Sequence, residues 1–160
     1  MPPSFSKKQP EQVQFFLDRS LGSRVMPEVF REHGLSILVH DEMFAQDTPD
    51  EEWIGQVAEN GLVAVTLDQR IARNPIQLHA VHVSGLRLIT LLGGNVPAEK
   101  LALNFVNASQ AIERFATQHQ APFIAKLSRP ANDAALLAGG YGALTMYRSR
   151  DDLLQRFGAV

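Results

Sequence analysis

Residues 13–22 have the sequence VQFFLDRSLG, which is the pattern of a short buried strand that ends on a carboxylate. The apolar residues between Val13 and Leu17 favour β-structure, and no charge interrupts them, as is typical of a strand covered on both faces. Asp18 ends the strand, and Gly22 opens a turn into a helical pattern. Ligands of open α/β sheets bind at the carboxyl ends of the strands, so Asp18 is a candidate ligand-binding residue. Aspartate is also a common helix N-cap, and capping explains Asp18 equally well.

The composition of the chain is ordinary for a globular domain, and its overall charge does not indicate a nucleic-acid partner. Its 160 residues are 45% hydrophobic and 20% charged, with a formal net charge of −2. A nucleic-acid partner would therefore need a local basic patch. The chain has no cysteine, which excludes disulfides, thiolate catalysis and cysteine-ligated metal sites, and is compatible with the cytoplasmic location that we expect.

The first twelve residues are polar and lack the apolar core of a signal peptide. We interpret residues 1–12 as a mobile tail and residues 13–160 as a single domain. No run approaches the roughly eighteen apolar residues that span a membrane, so no membrane partner is expected.

Apolar segments alternate with helical patterns along the rest of the chain. We predict strands at residues 13–18, 35–40, 62–68, 86–92, 123–127 and 142–148. Helices are predicted at 21–33, 49–60, 97–119 and 151–157, with at most a short helix at 69–74. Loops are predicted at 41–49 and 128–142, and residues 76–85 are left unassigned. In the predicted helix at residues 49–60, Thr48 is the expected N-cap and Pro49 the first helical residue. This alternation predicts an α/β fold with a mostly parallel sheet covered by helices on both faces.

Acidic residues converge on one edge of the predicted sheet. Asp18 ends the first strand, Asp68 ends the third, and residues 50–52 (Asp-Glu-Glu) open the helix before the third strand. Carboxylates brought close together repel one another, and a cation relieves that repulsion. Oxygen ligands suit Mg²⁺ or Mn²⁺, which can promote displacement at phosphate. As an alternative, residues 50–52 are ordinary first-turn charges and Asp68 is a helix cap.

Four motifs in this order resemble the PIN-like nuclease superfamily, and within it the PIN-like domains of VapC-type toxins. They are FFLDRSLG around Asp18, the helix end His33-Gly34, DEEWI from Asp50, and VAVTLD ending at Asp68. The resemblance covers residues 13–94. It implies a three-layer α/β/α sandwich and a ribonuclease site that uses Mg²⁺ or Mn²⁺.

The resemblance also implies roles for individual residues. Asp18 and Asp68 match the metal ligands at the strand ends, and Asp50 matches the acid that opens the second helix of the motif, with Glu51 as an adjacent candidate ligand. Thr66 matches the threonine of a Thr-x-Asp motif, whose hydroxyl would orient a carboxylate or a water molecule.

One position departs from the family's pattern. Many relatives carry an acid two residues after the Thr-x-Asp aspartate, and this chain has Arg70 there. The site then holds three strong carboxylates, or recruits Asp41 or Asp47 from the predicted loop at residues 41–49. Arg70, Arg19 and Arg73 are candidates for contacts with RNA phosphates, or else ordinary solvated arginines.

The leading hypothesis is a metal-dependent endoribonuclease, the toxin of a toxin–antitoxin pair, with RNA as substrate, a cognate antitoxin as partner and a homodimer as its assembly. One alternative is a PIN-like binding module that has lost catalysis. Another is a receiver-like signalling domain in which Asp68 accepts a phosphoryl group, with Thr90 and Lys126 at the ends of the fourth and fifth strands.

Overall fold

The computed structural model describes residues 12–93 and 95–160, and this part of the chain forms one six-stranded sheet with helices on both faces. The strands are β1 (Gln14–Leu17), β2 (Ser36–Val39), β3 (Val63–Thr66), β4 (Arg87–Leu91), β5 (Phe123–Leu127) and β6 (Leu144–Arg148). The helices are α1 (Val25–Glu32), α2 (His40–Met43), α3 (Asp50–Glu59), α4 (Pro75–Ser84), α5 (Ala98–Gln118), α6 (Asp133–Leu137) and α7 (Arg150–Phe157). Two 3₁₀ turns, Arg19–Leu21 and Gln69–Ala72, follow β1 and β3.

The sheet has the strand order β2-β1-β3-β4-β5-β6. Every neighbouring pair is parallel except β5 and β6, which are antiparallel. The predicted mostly parallel sheet is therefore confirmed. The chain moves from β1 to β2 on one side and then to β3 on the other, so the strand order reverses beside β1. In open α/β sheets, the crevice at such a reversal is the usual place for a ligand.

The two faces of the sheet are covered by separate helix layers. On one face α1 and α5 pack against alternate strand residues, and Phe105 lies between Phe15 and Phe30. On the other face α3, α4 and α7 cover the sheet, and Trp53 packs against Phe16 at 5.2 Å between ring centroids. This arrangement confirms the three-layer α/β/α sandwich.

The first helix begins later than predicted. Asp18 caps the 3₁₀ turn Arg19–Leu21 rather than a long helix, and Gly22, with φ of 77°, ends that turn. α1 therefore begins at Val25 instead of Leu21. The capping alternative for Asp18 is thus correct as far as the turn is concerned.

Both segments predicted as loops contain a short helix. α2 begins directly after β2, where the Glu42 carboxylate accepts a hydrogen bond from the Val39 amide at 2.8 Å. In α6, the Asn132 side chain accepts from the Ala135 amide at 2.8 Å. Helices of four and five residues are too short to show an apolar period, so their capping residues are the only sequence signal that indicates them.

The start of α3 also differs by one residue. Asp50 is the first helical residue and Pro49 is the N-cap, with Thr48 buried before it and no side-chain cap. The prediction of Thr48 as N-cap was wrong. The acids of residues 50–52 lie in the first helical turn, as predicted.

Most of residues 76–85, which the sequence left unassigned, belong to α4 (Pro75–Ser84). The Asn74 side chain accepts from the amides of Ile76 and Gln77 at 2.9 and 3.3 Å, and Pro75 occupies the first turn. Gly85 ends the helix in the left-handed conformation at φ 78°, which glycine adopts without strain.

We expect Asn74→Ala to lower the free energy of unfolding by about 1 kcal/mol, because both amides lose their capping acceptor. Urea denaturation monitored by the fluorescence of the single tryptophan measures the change. Asn60→Ala, at the C-cap of α3, is the matched control. A loss at Asn74 no larger than at Asn60 would contradict the capping role.

The predicted tail, residues 1–12, lies outside the described residues except for Gln12, whose side-chain amide donates to the Gly34 carbonyl at 3.1 Å. In the part of the chain that the structure describes, every helix is too short or too polar to cross a bilayer.

Candidate active site

Two of the predicted acids lie at the point where the strand order reverses. Asp18 follows β1 directly, and its amide donates to the Val65 carbonyl of β3 at 3.2 Å. Asp68 lies two residues after the end of β3. The structure therefore brings Asp18 and Asp68 to the same sheet edge, as the sequence predicted.

Asp18 is a buried carboxylate bound by hydroxyl and amide donors. Only 6% of the residue is exposed. The Thr66 hydroxyl donates to its Oδ2 at 2.6 Å, and the Ser20 amide donates to its Oδ1 at 3.0 Å, together with the Ser20 hydroxyl. Burial raises the pKa of Asp18 above its ordinary value, the hydrogen bonds partly offset this, and the nearby charge of Asp68 raises the pKa further.

Thr66 connects the two strand-end acids. Its hydroxyl donates to Asp18 and accepts from the Asp68 amide at 2.9 Å. Ser20 makes a second link, since its hydroxyl accepts from the Leu67 amide at 2.9 Å. Ser20 was missed in the sequence analysis as a site residue, although the Asp-x-Ser spacing is a common signal for local side-chain hydrogen bonds.

Asp68 is paired with Arg70. Its Oδ1 accepts from the Arg70 amide and Nε, each at 2.9 Å, and its Oδ2 accepts from Nη2 at 2.9 Å. These bonds hold the pKa of Asp68 below its ordinary value, although partial burial acts in the opposite direction. Both Asp68 oxygens are thus occupied by one guanidinium.

Asp50 is held by three side chains from three parts of the chain. Its Oδ1 accepts from Trp53 Nε1 at 2.8 Å and from Arg19 Nη2 at 3.3 Å, and its Oδ2 accepts from Gln77 Nε2 at 2.6 Å. Glu51, the adjacent candidate, is exposed and has no hydrogen bond or ion pair within the described ranges. Of these two acids, Asp50 is the one whose carboxylate is held in place by hydrogen bonds in the described chain.

The remaining predicted residues are Arg19, Arg73, Asp41 and Asp47, of which Arg19 contacts one of these acids. Arg19 reaches from the 3₁₀ turn to Asp50 and also donates to the Gln46 carbonyl. Arg73 is exposed at the end of the second 3₁₀ turn. In the loop, Asp41 accepts from the Gln46 side chain and Asp47 is exposed.

The donor chemistry of the site fits a hard cation, although its present arrangement does not form a metal cage. Across residues 12–93 and 95–160, no group of three or more histidine, aspartate and glutamate side chains is placed to hold a metal ion. Asp18, however, is a buried carboxylate with no cationic side chain bound to it in that part of the chain, and Asp68 is near enough to disfavour its charge. Oxygen ligands of this kind match Mg²⁺ or Mn²⁺.

Comparison with known proteins gives a family match over the part of the chain that carries these acids. Residues 13–93 match the family described as PIN-like domain. The chain is 32% identical over 113 residues to a protein of Mycobacterium tuberculosis named "Putative ribonuclease VapC45", across 68% of this chain and 81% of that protein. No solved structure matches the chain.

Proposed function

The chain belongs to the PIN-like domain family, and on this premise we propose that it is an endoribonuclease that depends on a divalent metal ion. The observation that carries the proposal is the placement of Asp18 and Asp68 at the reversal of strand order, joined through the Thr66 hydroxyl. The relative's name, which includes the word ribonuclease, supports RNA as the substrate.

In this proposal Asp18, Asp50 and Asp68 hold Mg²⁺ or Mn²⁺, with Glu51 as an adjacent ligand. The bound ion would supply Lewis-acid stabilisation of charge at the scissile phosphate. Thr66 keeps the Asp18 carboxylate in place through its 2.6 Å bond.

Other residues around the acids position groups and bind the substrate. Trp53 and Gln77 fix the orientation of Asp50. The exposed guanidinium groups of Arg19, Arg70 and Arg73 supply the local positive charge that RNA phosphates require.

We further propose that the nuclease is the toxin of a toxin–antitoxin pair. The support is the VapC name of the relative and the match of the four sequence motifs. A cognate antitoxin protein is the partner that this role requires, and a second copy of the chain is the partner that the family resemblance implies.

The decisive experiment is cleavage of a mixed RNA pool by the purified chain, with Mg²⁺ or Mn²⁺ and with a chelator. We expect cleavage only with the ion, and a loss of at least about 100-fold in Asp68→Asn, since even outer-shell changes at metal sites cost 10–100-fold. Glu59→Gln, an exposed acid at the far end of α3, is the matched control and should cleave normally. Glu51→Gln in the same assay decides whether Glu51 acts as a ligand.

Cleavage that survives chelation, or that is unchanged in Asp68→Asn, would refute the proposed mechanism. A wild type that binds RNA without cleaving it would favour the PIN-like binding module. The receiver-like alternative has no comparable support, because both comparisons match PIN-like or VapC proteins. The Lys126 ammonium also lies 3.7 Å from the centroid of the Tyr147 ring.

A further inference from the structure

We propose that Arg70 is a built-in counter-ion of Asp68, which a divalent cation must displace before it binds there. The inference rests on the proposed function, since it concerns the same site. It makes Arg70 a positioning residue that sets the metal affinity of the chain.

The geometry of the pair makes the Arg70 guanidinium a competitor of a metal ion for the Asp68 carboxylate. Arg70 Nε and Nη2 each donate to a different oxygen of Asp68 at 2.9 Å, in the parallel two-bond arrangement that arginine forms with carboxylates. A cation approaching Asp68 therefore meets an oxygen pair that already has a cationic partner. Asp18 has no such partner among the described residues and is bound only by neutral donors.

The Arg70 guanidinium is also exposed enough to move away from Asp68. The Arg70 side chain is 82% exposed, whereas the Asp68 side chain is 18% exposed. Moving Arg70 aside would break no packing contact in the core. The Arg70 amide would still cap Asp68 Oδ1, so the 3₁₀ turn Gln69–Ala72 would keep its cap.

Displacement of Arg70 has a consequence for the substrate. Once released, the guanidinium is an exposed positive charge beside the ligand edge of the sheet, where RNA phosphates would lie in the proposed function. Arg70 would then exchange one anionic partner, the Asp68 carboxylate, for another, a phosphate.

The first test is calorimetric titration of the metal-free full chain with Mn²⁺ alone, comparing wild type with Arg70→Ala and Arg73→Ala. Arg73 is an exposed arginine three residues away with no carboxylate bound in the described chain, so its variant removes the same charge without freeing Asp68. We expect Mn²⁺ to bind about tenfold more tightly to Arg70→Ala, and less than about twofold more tightly to Arg73→Ala, because only the first change frees an occupied carboxylate.

Equal gains in the two variants would reduce the effect to general electrostatics and overturn the proposal. Unchanged or weaker binding in Arg70→Ala, or no Mn²⁺ binding in any of the three proteins, would also overturn it.

A second measurement uses the unmodified chain. The Arg70 Nε–H group, assigned by the loss of its nitrogen–proton NMR signal in Arg70→Lys, should exchange slowly with solvent in the metal-free protein. Saturating Mg²⁺ should shift the signal and remove that protection. A signal that keeps its position and protection would overturn the displacement.

Both readouts are independent of RNA cleavage. A chain that shows the Arg70 effect without cleaving RNA would support this inference and refute the proposed nuclease activity. A chain that cleaves RNA with ion-dependent kinetics, while Arg70→Ala leaves Mn²⁺ binding unchanged, would do the reverse.

Discussion

Replacing Asp18 with asparagine is expected to abolish RNA cleavage and, at neutral pH, to raise the stability of the fold. Cleavage should fall by roughly 1000-fold or more, as is usual when one member of a group of residues that act together is removed. Asparagine is nearly isosteric with aspartate and can still accept a hydrogen bond from Thr66 or Ser20. It carries no charge, so the cost of keeping a charged carboxylate buried disappears.

The stability effect has a defined dependence on pH. The pKa of Asp18 is higher in the folded chain than in the unfolded chain, chiefly because of burial. Its stabilising contribution is therefore fully present below the unfolded-state pKa and is lost as the pH rises through the folded-state pKa. The neutral asparagine loses nothing over this range, so the stability difference should be small in acid and grow toward neutral pH, where we expect about 1 kcal/mol.

The two readouts are urea denaturation at acid and neutral pH, and RNA cleavage with Mn²⁺ at neutral pH. Glu59→Gln is again the control, because Glu59 is exposed at the far end of α3 and has no bound partner in the described ranges. A variant that is less stable than wild type at neutral pH would show that the charged Asp18 stabilises the fold. A variant that cleaves RNA at the wild-type rate would remove Asp18 from the site.

Much of the fold follows from local patterns, since each strand is a short and mostly apolar run and the chain alternates strands with helices. β5 has the predicted bounds, 123–127, and the other strands lie within the predicted ranges. The patterns did not predict the short helices α2 and α6 or the longer helix α4. In α4 the apolar residues are spread around the helix, with Ile76 65% exposed and Leu78 fully buried. Its caps, Asn74 and Gly85, were the available signals.

The site was predictable in part. Asp18 and Asp68 were foreseen because residues that end parallel strands meet at one edge of the sheet. The Arg70–Asp68 pair depends on the tight 3₁₀ turn after β3, which a sequence pattern does not define in detail. The bond from Gln77 to Asp50 joins residues that lie 27 positions apart on two different helices, and no local rule places them together.

Replacing Phe105 with alanine is expected to cost about 3–5 kcal/mol of unfolding free energy, which is the range for truncating a large buried aromatic residue. Phe105 is fully buried in α5. Its ring stacks on Phe30 of α1 at 4.8 Å and meets Phe15 of β1 edge-on at 5.1 Å, between ring centroids. The cavity would therefore open where α1, α5 and β1 meet, and little of the surrounding structure could collapse into it.

Phe105→Ala should leave the rate of RNA cleavage per folded molecule unchanged. Side chains alternate between the faces of a strand, so Phe15 faces α5 while Phe16 faces the opposite layer, and the alternation places Asp18 on the face of Phe16.

Urea denaturation measures the loss of stability, and cleavage per folded molecule is measured well below the transition. Phe115→Ala, in the same helix but only partly buried, is the control and should cost less. A loss at Phe105 no larger than at Phe115 would contradict the central position of its ring. Lost cleavage in fully folded protein would show that the α1–α5 layer also positions the acids.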